Sequence, residues 1–278
     1  MSPFLLLSFL LAIGAEASGL SVVEPASAWP KRTIRVCWSE EASPRHFGEN
    51  PRRAVQEIIQ QEYTLARTGI EFVGWESCAT LPEGVADVKI RQSTKNMGGF
   101  FRIWGMASIG KGREDSKPHL YLFYDENLAP EYKMDPLEHL QMIALHEFGH
   151  LAGLRHEHIR DEALGMEDAK CLTGEKADSS VSTVGDYDRN SIMNYCWNHH
   201  VRKHGTLLTL TSSMIEALSL ISPPEREEQA RSFLKRFTRY RDQSLFGILF
   251  SESPNTIGLK VKIGLSHGDL IALRTLYP

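Results

Sequence analysis

His146-Glu147-Phe148-Gly149-His150-Leu151-Ala152-Gly153-Leu154-Arg155-His156 (HEFGHLAGLRH, residues 146–156) decides how the rest of the chain reads. His146 and His150 stand four residues apart, so on an α-helix they share one face about a turn apart. Two imidazoles so placed can bind one ion. Glu147 follows the first histidine and falls off that row, where its carboxylate reaches a water beside the ion. Gly153 permits the left-handed turn that ends a helix, and that turn brings His156 back as a third ligand. Three nitrogen ligands suit a catalytic Zn2+ whose fourth position is left for water. The spacing H-E-x-x-H-x-x-G-x-x-H fixes five positions, three with a rare residue. It arises by chance in on the order of one in 10⁵ chains of this length. The competing reading, a surface helix with satisfied histidines, is disfavoured by the length of the pattern.

Signals on either side place the motif on a helix. Asp135 precedes Pro136, with Glu138 three residues on: an N-cap acceptor, a proline at the first helical position and an acid in the first turn. Upstream, residues 33–38 (TIRVCW) read as a strand. Residues 51–66 carry Val55, Ile58, Ile59, Tyr63 and Ala66 at helical spacing. Residues 70–75, 85–90, 100–109 and 119–124 read as further strands. Downstream, residues 207–221 read as a helix, and so do residues 225–241, with Ala230, Phe233, Leu234, Phe237 and Tyr240 on one face. Ser266 caps a short closing helix. Strand, helix and several strands, followed by helices, predict an α+β fold: a twisted mixed sheet, an active-site helix and a mainly helical C-terminal part. No linker divides it, so residues 33–278 read as a single catalytic domain, with an N-terminal part to about 153 and a C-terminal part over 154–278.

The chain has 278 residues, a formal net charge of −4, 42% hydrophobic and 24% charged residues. That composition suits a folded globular protein. The charge excludes a generally basic nucleic-acid binder, and no apolar run reaches the length of a membrane span. Residues 4–14 (FLLLSFLLAIG) followed by Ala15-Glu16-Ala17 read as a signal peptide over 1–17, with residues 18–32 a short N-terminal segment and the protein secreted. Four cysteines, Cys37, Cys78, Cys171 and Cys196, then favour two disulfides, for which three pairings exist. We expect Cys37–Cys78, tying the opening strand to the end of the strand-helix-strand unit, and Cys171–Cys196, clamping the loop after the third histidine.

The long motif resembles that of the metzincin metalloproteases. Two features are similar to the astacin family in particular: His156-Glu157-His158 followed by Arg160, and Ser191-Ile192-Met193-Asn194-Tyr195 (SIMNY) in place of a Met-turn ending in His-Tyr. The closing GLSHGDLIALRTLYP, with Asp269 at an acidic position, also resembles the family. The resemblance covers about residues 33–200 and this tail. It implies a zinc endopeptidase with His146, His150 and His156 as metal ligands and Glu147 as general base. It implies Met193 as the floor beneath the histidines, and Tyr195 as a residue that hydrogen-bonds the tetrahedral intermediate. It also implies an N-terminus buried near Glu157. The departures are Asn194 in place of histidine, and Asp161-Glu162-Ala163 after Arg160, which leaves the ion pairs there open. The partner it implies is a protein or peptide substrate bound as an extended strand along an edge within residues 103–109, taken by a monomer. The alternatives are a metzincin of another branch with narrow specificity, and a binding protein on the same scaffold with little turnover. Glu24 could also ligate the metal until a second cut removes it.

Overall fold

The computed structural model describes residues 22–40, 47–93, 104–112, 119–126, 134–163, 181–188, 191–196, 207–209, 246–250, 257–261 and 263–278. In chain order the elements are β1 (Val22–Val23), β2 (Thr33–Trp38), α1 (Glu49–Ile59) continued by a π-helical turn (Gln60–Leu65), β3 (Glu71–Ser77), β4 (Val88–Ser93), β5 (Gly105–Ala107), β6 (His119–Phe123), α2 (Pro136–Leu151), β7 (Ser182–Thr183), β8 (Leu207–Thr209), β9 (Phe246–Phe250), β10 (Ile257–Val261) and α3 (His267–Leu276). This is an α+β fold around a mixed five-stranded sheet of order β3-β2-β4-β6-β5. β2 runs parallel to β3 and β4, β4 parallel to β6, and β5 closes the edge antiparallel to β6.

Strand alternation decides which face is covered. Val36, Ile90, Leu120 and Leu122 are buried in one core with Val55 and Ile59 of α1 and Leu140, Leu145 and Phe148 of α2. Phe148 meets Phe72 edge-on at 4.7 Å between ring centroids and stacks on Trp75 at 5.7 Å. Gly74 and Trp75 both take positive φ, 101° and 75°. That irregularity breaks the period-2 pattern of β3, and Trp75 is buried against α2.

The helix signals behave as read. Asp135 Oδ1 accepts from the Leu137 and Glu138 amides at 2.8 and 3.3 Å, and Pro136 is the first helical residue. Gly153 has φ 90° and donates to His150 O at 2.8 Å. Ser266 and Asp269 form a reciprocal capping box on α3.

Other expectations shift or fail. The strand expected at 85–90 is Val88–Ser93 instead. Asp87 just before it is held by Lys31 and by the Arg35 amide, which keeps that approach a loop. Within residues 100–109 only Gly105–Ala107 is a strand; residues 100–103 lie outside the described residues. The mainly helical C-terminal part is corrected: Leu207–Thr209, expected to begin a helix, is a strand on β10, which also pairs with β9 in a three-stranded antiparallel sheet. Helical spacing lost there to ladder hydrogen bonds from distant strands. The rest of 207–221 and the helix expected at 225–241 lie outside the described residues. Cys37 and Cys78 are bonded as expected. Cys196 is also disulfide-bonded, and its expected partner Cys171 lies outside the described residues.

Candidate metal centre

α2 delivers His146, Glu147 and His150, all buried, in its last two turns. The loop beyond Gly153 turns back and sets His156 against them. His156 Nε2 lies 3.3 Å from His146 Nε2 and 3.0 Å from His150 Nε2, and the three ligand atoms form one group. The opposite ring nitrogens face main-chain carbonyls: His146 Nδ1 is 2.9 Å from Ile192 O, and His150 Nδ1 is 2.9 Å from Leu154 O. A carbonyl only accepts, so each Nδ1 carries the proton and each Nε2 turns a bare lone pair inward. Two such lone pairs with His156 Nε2 beside them make a three-nitrogen donor set that a metal ion can take. Nitrogens bound tetrahedrally to zinc sit about 3.3 Å apart, given bonds of about 2.0–2.1 Å, so the cluster fits that ion. Burial, and next His156, push the His150 pKa down to about 3, which keeps it a neutral ligand.

Glu147 sits one step round the helix, and burial pushes its pKa up to about 8. The residue facing it is Gly105 of β5, where a Cβ would come within 2.5 Å of Glu147 Oε1. The edge expected within residues 103–109 carries Gly105, which makes room for the carboxylate; a glycine in a strand is the sequence signal for that close approach.

Met193 is fully buried beneath α2, its sulfur lying where a side chain on Gly149 would stand. The Met193 carbonyl accepts from the Glu157 amide at 3.1 Å, and Ile192 O holds His146. The turn is in turn fixed by α3: Asp269 accepts from Ser191 Oγ at 2.6 Å and from the Ile192 amide at 3.0 Å. A side chain more than a hundred residues away thus orients His146 through the main chain of one residue, Ile192. Asn194, the departure from histidine, is buried; its Nδ2 donates to the Tyr187 hydroxyl at 2.7 Å and its Oδ1 accepts from the Cys196 amide. The Tyr195 ring lies 4.3 Å from that of His156 and stacks on His158 at 4.4 Å.

Glu157 is fully buried. Its carboxylate accepts from the Val22 amide at 3.1 Å and the Asp188 amide at 2.9 Å, with Arg160 Nη1 3.5 Å away. Burial pushes its pKa up to about 9, against the pull of the Asp188 hydrogen bond and of Arg160. The N-terminal segment therefore does meet Glu157, at Val22; residues 18–21 lie outside the described residues. Arg160 also pairs with Glu162 at 3.1 Å, which settles the ion pairs that the Asp161-Glu162-Ala163 departure had left open. Glu24 stands outside the group formed by His146, His150 and His156. It pairs with Arg155 at 2.8 Å and accepts from Ser27 Oγ, while its amide donates to Gly153 O.

No protein-family model and no curated protein matches this chain. Among the described residues no helix is long and apolar enough to cross a membrane.

Proposed function

We propose that this chain is a secreted zinc endopeptidase of astacin-like, metzincin type. The observation that carries the reading is the convergence of three Nε2 atoms next to the buried carboxylate of Glu147. Zinc, when bound, supplies an acidified water and a Lewis acid for the peptide carbonyl. His146, His150 and His156 hold it, each α2 histidine locked in its tautomer by a carbonyl. A cation held by the three histidines would draw the Glu147 carboxyl back to its ionised form, and the carboxylate then accepts the proton of the attacking water and hands it to the leaving amine. β5, an edge strand among the described residues, offers its outer side for an extended peptide, whose main chain adds a strand to the sheet. Tyr195, against the His156 ring, donates its hydroxyl to the oxyanion that forms as the carbonyl is attacked. The leader over residues 4–14 and the Cys37–Cys78 bond support export.

The test is metal content and hydrolysis together. The purified chain reconstituted with zinc should hold one equivalent and cleave casein or a quenched peptide library, lose that activity to chelator and regain it with zinc. His150→Ala should hold none. Less than about half an equivalent in the wild type, or full retention in His150→Ala, overturns the ligand set. Tyr195→Phe should lower kcat by about 10²-fold with little change in KM, as expected for a lost oxyanion donor. An unchanged kcat removes Tyr195 from the mechanism.

A further inference from the structure

The face of the five-stranded sheet turned away from the helices is built differently from the core face. Register places Lys89 beside His119, and Arg91 beside Tyr121, which in turn pairs with Met106 on the edge strand. A row of side chains therefore crosses the sheet from Arg91 through Tyr121 to Met106, and Met106 is exposed. These residues floor a cavity of about 1000 Å³, with Lys111 at its rim. The Cys37–Cys78 bond lines it and anchors the start of the loop that forms its wall from Leu81 to Asp87.

Its charge is one-sided. Asp87 is already committed to Lys31 at 2.6 Å and to the Arg35 amide, which leaves Glu83 as the other acid of the lining. Lys89, Arg91 and Lys111 have no carboxylate partner among the described residues. Two long cations standing on neighbouring positions of one strand face, unpaired, beside an exposed methionine and a tyrosine, suit a polypeptide with acidic side chains. The cavity shares the edge strand β5 with the metal centre: Gly105 is part of its lining and also abuts Glu147, while Met106 carries it over β5 to the far face of the sheet.

We propose that this groove is a substrate-docking site that takes an acidic segment of the protein substrate, flanking the stretch laid along β5. It rests on the endopeptidase reading. A peptide on the free edge of β5 turns every second side chain to the Met106 side, and the chain leaving that edge crosses Met106 and Tyr121 to reach Arg91 and Lys89. The groove thus selects substrates by charge outside the cleaved bond, and the selection weakens with salt because the cations are exposed.

Two quenched peptides test it, identical in the cleaved stretch, one extended by a run of Glu and Asp and the other by Gln and Asn. At low salt the wild type should show a kcat/KM ratio of acidic to neutral peptide of about tenfold, the scale of two or three exposed ion pairs. That ratio should fall towards one in Lys89→Gln/Arg91→Gln and at high salt, and fall in the same direction in Lys111→Gln, whose loop position carries no strand register. A binding measurement separates this idea from the peptidase reading. The labelled acidic peptide should bind full-length Glu147→Gln protein and lose that binding when Lys89 and Arg91 are also changed. Binding with that dependence but no hydrolysis of any peptide sinks the peptidase reading and keeps the groove. A wild-type ratio near one, a ratio unmoved by the variants, or tighter binding of a sulfated oligosaccharide than of the acidic peptide overturns the groove.

Discussion

Glu147→Gln is expected to lower kcat/KM by about 10²–10⁴-fold, the usual worth of a positioned general base, while zinc content stays at one equivalent. The two side chains have the same shape, so the space opposite Gly105 remains filled as before. The three Nε2 atoms that would hold the ion belong to His146, His150 and His156 and owe their orientation to Ile192 O, Leu154 O and the loop after Gly153, none of which the change touches. What is lost is a proton acceptor. Rates and metal content measured on one preparation distinguish the outcomes. Loss of metal with loss of rate would mean that Glu147 supports the ligand cluster rather than the chemistry, and a fully active, metal-replete Gln variant would remove the general base.

The second large effect should come from Gly105→Ala, one methyl group on the edge strand. A Cβ there stands 2.5 Å from Oε1, 2.6 Å from Cγ and 2.8 Å from Cδ of Glu147, closer than carbon tolerates. Something must yield. Glu147 springs from a helix packed against Phe72 and Trp75 through its neighbour Phe148, and β5 is laddered to β6 through Met106↔Tyr121. The carboxylate side chain is the softer partner, so it swings away from the metal centre. A displacement of about 1 Å at a reacting group can cost about 10²-fold in rate, and that is the expected fall in kcat, with zinc content and melting temperature close to wild type. Activity within about twofold of wild type would show that β5 gives way instead, with no effect on the base.

Glu147 and β5 are thus fitted to each other across a glycine, and His146 is fitted to the turn at Ser191–Asn194 through the main chain of Ile192. Asp269 of α3 takes the Ser191 hydroxyl and the Ile192 amide, and the carbonyl of that same residue takes His146 Nδ1–H. Glu157 does similar work on the other side of the third histidine by gathering the Val22 and Asp188 amides, which ties the N-terminal segment to the loop that carries His156. Two amide donors and an arginine at 3.5 Å hold the Glu157 carboxyl group in place, although they do not offset its desolvation, and its pKa stays raised to about 9. Both carboxylates lie outside the eleven-residue motif, yet they determine where its histidines point.

What the sequence determined by itself was local. The spacing of His146 and His150, the cap at Asp135-Pro136, the stop at Gly153 and the Ser266–Asp269 capping box are each written within a few residues. The physics behind them, helix pitch and the unsatisfied amides and carbonyls of helix ends, acts over the same few residues. The opening strand at Thr33–Trp38 was legible for the same reason. Tertiary structure decided the rest. Leu207–Thr209 is a strand because β10 supplies its hydrogen bonds, and Val88–Ser93 starts three residues later than its apolar pattern suggests because Asp87 is claimed by Lys31 and Arg35. The roles of Gly105 beside Glu147, of Ile192 O on His146 and of the Val22 amide on Glu157 each join residues 42 or more positions apart. No window of sequence contains both partners of such a contact, and only chain folding brings the acceptor to its donor.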